Sequence, residues 1–264
     1  MTDSPCLRFS GSELIKDTER LDRLGKTSYC LLQKDGVFRF GHDAVFLAYF
    51  ARPPKKGHMA DLCTGTGAVA LFLTMKTPAP ILAVEWQEEL YDMTRRSVLL
   101  NGLTSRLNVL KADVRALPDM LGKAVFDYIT INPPYVPVEG FLQNERKALA
   151  IARHEMMLTL EEWTNVLALL LKPLGRAAII YRNDRFHELL RALVLQDLVV
   201  KRLRFVYPFA HKPANLVLVE VQKKGRLRGT IVEPPIIVHQ EEGPFTEAME
   251  AIYDSFQTSQ ISSS

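Results

Sequence analysis

The sequence predicts an α/β fold, a mainly parallel sheet of seven strands with helices on both faces. Short apolar runs alternate with amphipathic stretches from about residue 58 onward, which is typical of parallel strands joined by crossover helices. The last two runs have no helical stretch between them, so they predict one antiparallel strand near the carboxyl end. The seven runs are residues 58–62, 81–85, 108–112, 126–131, 176–181, 199–206 and 216–222.

The segments between the predicted strands also fit this fold. A helix is predicted from Gln87 to Leu100, because its apolar residues approximate helical spacing and Asn101-Gly102 then supplies a stop. Lys172 to Gly175 is expected to end an apolar helix and turn the chain into the fifth strand. The segment from Tyr207 to Pro213 joins the last two strands directly, which suits an antiparallel pair.

The chain is expected to form one domain. Residues 1–57 precede the first strand and are interpreted as a helix-and-turn cap of that domain, and residues 58–254 form its main body. Within this body, a basic stretch at Lys223 to Arg228 leads into a terminal strand and helix. Residues 255–264 lack an apolar period and are expected to be disordered.

Composition restricts the class of protein. The 264 residues are 47% hydrophobic and 24% charged, which is typical of a folded soluble protein. The apolar run Val166 to Leu171 is far shorter than the roughly 20 residues of a membrane-spanning helix, and a secretory signal pattern is missing from the first residues. Because the net charge is only +3, any contact with nucleic acid must come from a local basic face.

The three cysteines, Cys6, Cys30 and Cys63, show neither a CxxC motif nor a Cys/His spacing. This pattern argues against a zinc site and a disulfide framework, and it fits a reducing compartment. We therefore expect a cytoplasmic protein without a metal ion. The sequence does not determine the oligomeric state, for which a monomer is the default expectation.

A glycine-containing loop follows the first strand. Asp61 to Ala70 places Gly65 and Gly67 between that strand and a helix, where glycines permit a tight turn and close approach to a ligand. Glu85 ends the second strand, twenty positions after Gly65, where a carboxylate can accept hydrogen bonds from both ribose hydroxyls of an adenosine. Asp113, after the third strand, is placed to meet the adenine amino group.

The glycine loop alone leaves alternatives open. A GxG after a strand can be no more than a tight turn, and Gly65-x-Gly67-x-x-Ala70 with Glu85 also satisfies the dinucleotide fingerprint. Asp61 favours a different ligand, because its carboxylate can accept from the methionyl ammonium of S-adenosylmethionine but would repel a pyrophosphate.

A second motif, Asn132-Pro133-Pro134-Tyr135, directly follows the fourth strand, at the edge where ligands bind in such sheets. The lone pair of an aromatic amine is delocalised, so methyl transfer to it requires acceptors that favour a pyramidal nitrogen. The Asn132 amide oxygen and the Pro133 carbonyl can supply these acceptors, the prolines stiffen the loop, and Tyr135 can stack on the base. The alternative is a rigid turn with an accidental asparagine.

These motifs together resemble the class I, Rossmann-like methyltransferases of the amino-group subgroup. Residues 33–48 also look like the amino-terminal signature of the bacterial valine-tRNA adenine-N6 methyltransferases, as do residues 152–155 and 207–220. The resemblance runs over roughly residues 20–254. It implies a seven-stranded class I methyltransferase fold, S-adenosylmethionine as cofactor, and methylation of the adenine beside the anticodon of a tRNA.

The resemblance also implies site residues. Asn132, Pro133, Pro134 and Tyr135 are expected at the reacting amine. The cofactor pocket is expected to include Phe40, Asp43, Asp61, Thr64, Gly65, Gly67, Glu85, Trp86, Asp113, Val114 and Asn132. Contacts to tRNA are expected from Tyr135, Arg146, Arg153, His154 and Lys212.

Some of these residues also have simpler alternative interpretations. Phe40 and Trp86 can be packing residues, and His154 can have a structural instead of a catalytic role. Cys63 occupies the position where many class I members have the first glycine, and His42 stands where a small hydroxyl residue is frequent. We interpret Cys63 as a small packed residue without chemistry.

Basic residues fall into two groups along the chain. They could clamp a tRNA, or they could be ordinary solvated surface residues. The first group follows the Asn132 motif and the second lies near the carboxyl end: Arg146, Lys147 and Arg153, then Arg202, Arg204, Lys212, Lys223, Lys224, Arg226 and Arg228.

Adenine-N6 methylation of tRNA is the leading hypothesis. An rRNA adenine or guanine amino group and a protein glutamine amide remain alternative acceptors, because the latter nitrogen is equally delocalised. An NAD-dependent oxidoreductase and a non-catalytic RNA-binding module are the alternatives from other classes.

Overall fold

The computed structural model describes residues 6, 13–35, 41–134, 158–226, 229–241 and 243–257. Its main element is a nine-stranded sheet with the order β10-β8-β9-β7-β6-β3-β4-β5, in which β11 also pairs with β8. The strands are β3 (Met59–Leu62), β4 (Ile81–Glu85), β5 (Leu107–Lys111), β6 (Phe126–Ile131), β7 (Leu171–Arg182), β8 (Leu198–Phe209), β9 (Leu216–Lys223), β10 (Ile231–Val232) and β11 (Ile236–His239).

The predicted sheet is confirmed. The seven expected strands are present, and β9 runs antiparallel to both of its neighbours, β7 and β8. The pairs among β3 to β7 are parallel, as the sequence predicts, and β10 and β11 also run parallel to β8. The two short strands β10 and β11 extend the sheet beyond β8, and together they provide the strand predicted before the terminal helix.

Helices cover both faces of this sheet, which confirms the predicted layering. Buried residues of α1, α2 and α7 form one hydrophobic cluster, and those of α5 and α6 form a second on the opposite face. The helices are α1 (His42–Phe50), α2 (Ala68–Lys76), α3 (Glu88–Leu100), α4 (Leu117–Leu121), α5 (Leu160–Leu170), α6 (Phe186–Leu195) and α7 (Glu247–Asp254).

The amino-terminal segment differs from the predicted helix-and-turn cap. It contains helix α1, but it also contains an antiparallel hairpin of β1 (Glu19–Arg23) and β2 (Cys30–Lys34). The turn is made possible by Gly25, whose φ of 59° lies in the left-handed region. The hairpin is held to α3 by Arg96, whose guanidinium donates to both carboxylate oxygens of Glu19 at 2.6 Å.

Two further expectations from the cysteines and the terminal residues are wrong. Cys6 and Cys30 form a disulfide. The two cysteines are 24 residues apart and belong to no recognisable motif, so the sequence did not indicate this bond. The segment assigned to a disordered tail begins too early, because Phe256 is buried against Phe72 with a ring-centroid distance of 4.5 Å. The packed chain therefore extends at least to residue 257.

The expected turn at residues 172–175 is part of strand β7 instead. The strand begins at Leu171, and its register against β6 shifts between Phe126 and Tyr128. Leu174 has a φ of 64° within this irregular stretch. The change of direction predicted from Pro173 and Gly175 is thus absorbed as a bulge within the strand.

Among the described residues, none of the helices has the length and apolarity that a membrane crossing requires.

Candidate cofactor and amine site

The candidate site lies at the carboxyl edge of the parallel strands. Strand β3 pairs with β4 on one side and β6 on the other, so the order of the strands along the chain reverses at β3. Open α/β sheets bind ligands at such a reversal. A small cavity of about 30 Å³ is found there, lined by Gly41, Ala44, Asp61, Cys63, Thr64, Thr66, Ala68, Val69 and Asn132.

The two glycines of the loop after β3 have backbone conformations that other residues rarely adopt. Gly65 has a φ of 59° and Gly67 a φ of 84°. A Cβ on Gly67 would lie 2.6 Å from Cγ2 of Thr94, so a side chain there would also clash with α3. The Thr94 hydroxyl in turn donates to the Gly65 carbonyl at 2.8 Å, which fixes the loop against that helix.

Asp61 lies beneath the loop and is almost completely buried. Its carboxylate accepts hydrogen bonds from the hydroxyls of Thr64, at 2.5 Å, and Thr130, at 2.6 Å. Thr130 reaches it because the two residues are register partners on β3 and β6. Burial raises the pKa of Asp61 to about 6, although both hydroxyls act to lower it. Ionised Asp61 is therefore a costly negative charge that favours a cationic ligand group.

Glu85, at the end of β4, is also buried. Its Oε1 accepts from the backbone N–H groups of Trp86 and Gln87, and its Oε2 accepts from that of Gly65. Burial raises the pKa of Glu85 against the lowering by these amides. The carboxylate thus connects the glycine loop to the start of α3 and retains lone-pair capacity for one further donor.

Asp113 follows β5, as expected, but its carboxylate is already engaged. It accepts from the backbone N–H of Arg115 and from the Arg115 guanidinium, with a shortest distance of 2.6 Å. These hydrogen bonds to Arg115 lower the pKa of Asp113. A contact with an adenine amino group therefore requires this partly exposed ion pair to rearrange.

Asn132 enters the site directly from the end of β6. Leu62 and Ile131 are register partners, so the residues that follow them, Cys63 and Asn132, lie at the same level and line the same cavity. Pro133 is buried and Pro134 is half-buried. The structure therefore brings Asn132 together with Asp61 and Thr64, whereas Tyr135 lies outside the described residues.

The remaining expected cofactor residues differ in their surroundings. Val114 is buried, and Trp86 is 39% exposed beside Glu85. Asp43 lines a second, more open cleft of about 470 Å³, together with Arg182, Asp184, Ala214, Asn215 and Leu216. This cleft adjoins the cavity through α1, because the neighbouring residues Gly41 and Ala44 line the cavity. Phe40 lies outside the described residues.

Of the two expected basic groups, the structure describes only part of the second, and its members lie at different edges of the sheet. Arg146, Lys147, Arg153, His154 and Arg228 lie outside the described residues. Lys212 is exposed in the turn after β8, at the site edge, whereas Lys223, Lys224 and Arg226 follow the antiparallel strand β9 and lie at the opposite edge.

The assignment of Arg202 and Arg204 to an RNA surface is wrong. Arg202 is buried, and its guanidinium donates to Glu220 at 3.0 Å and to Glu233 at 2.9 Å. Arg204 is 3.8 Å from Glu233. Both arginines alternate with apolar residues along β8. The sequence predicted the pairing of β8 with β9, but not the register that places Glu220 opposite Arg202.

Sequence reasoning missed the threonines of the site. Thr130 and Thr94 hold Asp61 and Gly65, and the Thr66 hydroxyl is buried in the cavity wall with no hydrogen-bond partner within the described residues. Thr66 carried a usable signal, since it separates the two glycines. Thr130 did not, because its role follows from the pairing of β3 with β6.

These features fit an adenosyl ligand with a cationic end. Asp61 provides a buried carboxylate for the cation, and the Thr66 hydroxyl, which lines the same cavity, provides a buried polar group without a partner in the described residues. Within the described residues, no group of histidine, cysteine and acidic side chains could hold a metal ion.

Structural comparison places the fold among methyltransferases. The chain superposes on a predicted O-methyltransferase of Agrobacterium tumefaciens with a TM-score of 0.63 and 21% identity, covering 82% of this chain and 97% of that one. It also superposes on Pyrococcus horikoshii TYW2 in complex with MeSAdo, with a TM-score of 0.56 and 15% identity over 80% of this chain and 73% of that one. At these identities the likeness shows the fold alone.

Sequence comparison is more specific, although no protein-family model matches the chain. The tRNA1(Val) (adenine(37)-N6)-methyltransferase of Porphyromonas gingivalis strain ATCC 33277 is 30% identical over 191 residues, which are 70% of this chain and 74% of that protein. The enzyme of the same name from Photobacterium profundum is 30% identical over 182 residues, 68% of this chain and 75% of that protein. The chain therefore belongs to the tRNA1(Val) (adenine(37)-N6)-methyltransferase family.

Proposed function

We propose that this chain transfers a methyl group from S-adenosylmethionine to the exocyclic N6 amino group of an adenine in tRNA, at the anticodon-adjacent position named for its relatives. The observation that carries the proposal is the shared cavity of Asn132 and Asp61. It unites an acceptor suited to an amine with a carboxylate suited to the methionyl ammonium. The names of the related enzymes support tRNA as the acceptor.

The cofactor would be held by residues of two successive strands, β3 and β4, and of the loop after β3. Glu85 would accept from a ribose hydroxyl, Asp61 from the methionyl ammonium, and the backbone of the loop at Gly65 and Gly67 would lie against the ligand. When bound, S-adenosylmethionine supplies an electrophilic methyl group. Because Asp61 and Glu85 are buried, their interactions with the ligand are little screened by water.

The target amine would be held by the loop after β6. The Asn132 side-chain oxygen and the Pro133 carbonyl would accept its two hydrogens, which localises the nitrogen lone pair towards the methyl group. Pro133 and Pro134 restrict the backbone torsions of this loop, so the acceptors are positioned before the base arrives. Tyr135 would stack on the base.

The reaction does not require a strong general base. Positive charge moves from sulfur to the amine nitrogen during transfer, and Asn132 stabilises that nitrogen through its oxygen. The proton is then lost from a cationic amine, which is acidic enough to release it to water. A base inside a folded RNA loop must first be extruded, at a cost of a few kcal/mol that stacking in the site offsets.

The test is a methyl-transfer assay with labelled S-adenosylmethionine and an unmodified tRNA(Val) transcript. We expect label in nuclease-sensitive material and N6-methyladenosine on mass spectrometry of the digested RNA. Asn132→Ala should lower kcat by roughly 100-fold, as expected for lost alignment and charge stabilisation at the reacting nitrogen. The matched control is Asn108→Ala, which changes an exposed asparagine on β5 and should retain full activity.

Three results would reject the proposal. The first is that the wild-type chain transfers no label to tRNA, and the second is that the label appears in protein instead of RNA. The third is that the Asn132→Ala variant is as active as wild type. Calorimetry with S-adenosylhomocysteine and with NADH separates the enzyme classes, because an oxidoreductase would bind the dinucleotide.

A further inference from the structure

Five aromatic and imidazole rings form a continuous row at the site edge of the sheet. The rings of His211, Phe209, His239 and Phe245 follow one another at centroid distances of 5.7, 5.4 and 5.3 Å. Neighbouring planes are inclined by only 29° to 31°. His42 meets Phe245 edge-on at 5.3 Å. We refer to these five residues as the ring row.

The sheet topology explains why the row lies at this edge. Phe209 ends β8 and His239 ends β11, and the two are register partners in a parallel pair. Phe245 is joined to His239 by an isolated antiparallel bridge. Since β8 also runs in the same direction as β6, the ends of β8 and β11 point to the same side of the molecule as Asn132.

The ring row is continuous with the candidate site. His42 stands between Gly41, which lines the cavity, and Asp43, which lines the open cleft with Arg182 and Asn215. The cleft and the row therefore extend outward from the cavity mouth along one edge. A nucleotide whose base enters the cavity would place its neighbours along this path.

The rings are at least partly accessible, and one lysine lies beside them. His42 and His211 are exposed, and Phe209, His239 and Phe245 are half-buried. Lys212 is exposed next to His211, whereas Arg182, which lines the cleft, is paired there with Asp184. The Nδ1 of His239 is 2.9 Å from the Gly243 carbonyl, which fixes the orientation of that ring. A fixed row of rings that ends in an exposed imidazole beside a lysine suits a stacked base and its phosphate.

Packing within the protein accounts for only part of the row. Phe245 also stacks on Tyr253 of α7 at 5.9 Å, which explains its burial. Phe209 and His211 lie on the other side of His239 from this contact, and the turn that carries His211 and Lys212 is exposed.

We propose that the ring row binds unpaired RNA bases that neighbour the target adenine, by stacking them on Phe209, His211 and His239. This inference rests on the proposed function, and it adds a surface for the partner outside the methyl-transfer cavity. Stacking tolerates any base, so the row would contribute affinity for an unpaired loop with little sequence preference.

The test measures binding of an unmodified anticodon stem-loop RNA in the presence of S-adenosylhomocysteine. Phe209→Leu removes a stacking face but keeps apolar volume, and we expect about tenfold weaker RNA binding. His211→Ala changes an exposed residue and should weaken binding severalfold. His58→Leu, an exposed histidine before β3 at the opposite edge, is the matched control and should bind like wild type. All three should bind S-adenosylhomocysteine as tightly as wild type.

Abasic substitutions identify the contact. At the loop position whose base stacks on the row, removal of that base should weaken wild-type binding and abolish the difference between wild type and Phe209→Leu. If Phe209→Leu loses cofactor affinity, the decision rests on His211→Ala. Two results would reject RNA binding by the ring row without touching the proposed function, provided that the wild type still methylates tRNA. The first is a His211→Ala variant that binds RNA as tightly as wild type. The second is a loss of RNA affinity in the variants that persists with every abasic RNA. No methylation by the wild type rejects the proposed function as well.

Discussion

The backbone N–H of Gly65 donates a hydrogen bond to Oε2 of Glu85, across 2.9 Å. This bond joins the loop after β3 to the end of β4, so one carboxylate both shapes the loop and is placed to receive the ribose. Glu85→Gln replaces one oxygen by an amide NH₂ that cannot accept the backbone donors. We expect at least tenfold weaker binding of S-adenosylhomocysteine by calorimetry, since hydrogen bonds to charged groups contribute about 1.5–3 kcal/mol.

The matched control for this change is Glu88→Gln, which alters an exposed glutamate three residues further on. Wild-type cofactor affinity in Glu85→Gln, or an equal loss in both variants, contradicts the role assigned to Glu85.

Asp61 makes cofactor binding dependent on pH. Its pKa is raised by burial from 3.8 to about 6, so the folded chain binds more protons at this position than the unfolded chain between these pH values. Ionisation of Asp61 therefore costs stability as the pH rises through this window, and at neutral pH the cost is up to about 3 kcal/mol. Only the ionised form pairs with the methionyl ammonium. Affinity for S-adenosylhomocysteine should consequently fall as the pH is lowered from 7 to 5.

Asp61→Asn separates the two consequences of this buried charge. The variant cannot ionise, so we expect a higher melting temperature of the ligand-free protein and at least tenfold weaker cofactor binding that no longer changes between pH 5 and 7. Calorimetry and thermal unfolding on the same samples measure both. A lower melting temperature together with wild-type affinity for S-adenosylhomocysteine would contradict both roles assigned to Asp61.

The ion pair of Asp113 and Arg115 competes with the adenine amino group for one carboxylate. The pair is 36–38% exposed, so breaking it costs no more than about 1 kcal/mol. We expect Arg115→Ala to strengthen binding of S-adenosylhomocysteine up to about fivefold and Asp113→Ala to weaken it. Arg95→Ala, at another partly exposed arginine, serves as the control. Equal weakening by Arg115→Ala and Asp113→Ala would indicate that Arg115 positions the aspartate instead.

Site residues could be predicted from their places at strand ends, whereas contacts between separate segments of the chain could not. Glu85 and Asn132 were predicted because each ends a strand, and the order of strands brings their ends to one edge. The Thr130–Asp61 bond and the Cys6–Cys30 disulfide join separate segments of the chain, and spacing along the chain held no signal for them. The β1–β2 hairpin was missed for a related reason: Cys30, Leu31 and Leu32 are all buried and show no strand alternation.

Cys63 combines a left-handed backbone with a half-buried thiol at the cavity wall. Its φ of 56° costs an L-residue about 1–2 kcal/mol, a cost that a glycine at this position would avoid. Cys63→Gly should therefore be more stable than Cys63→Ala by about 1 kcal/mol in urea unfolding, the reverse of the usual order. Ala60→Gly, in the regular strand β3, provides the comparison and should destabilise by a similar amount. Burial and three neighbouring carboxylates, those of Glu85, Asp61 and Asp113, raise the pKa of the thiol, so it should also resist alkylation by iodoacetamide at pH 7. A Cys63→Gly variant less stable than Cys63→Ala would show that thiol packing, not backbone strain, dominates there.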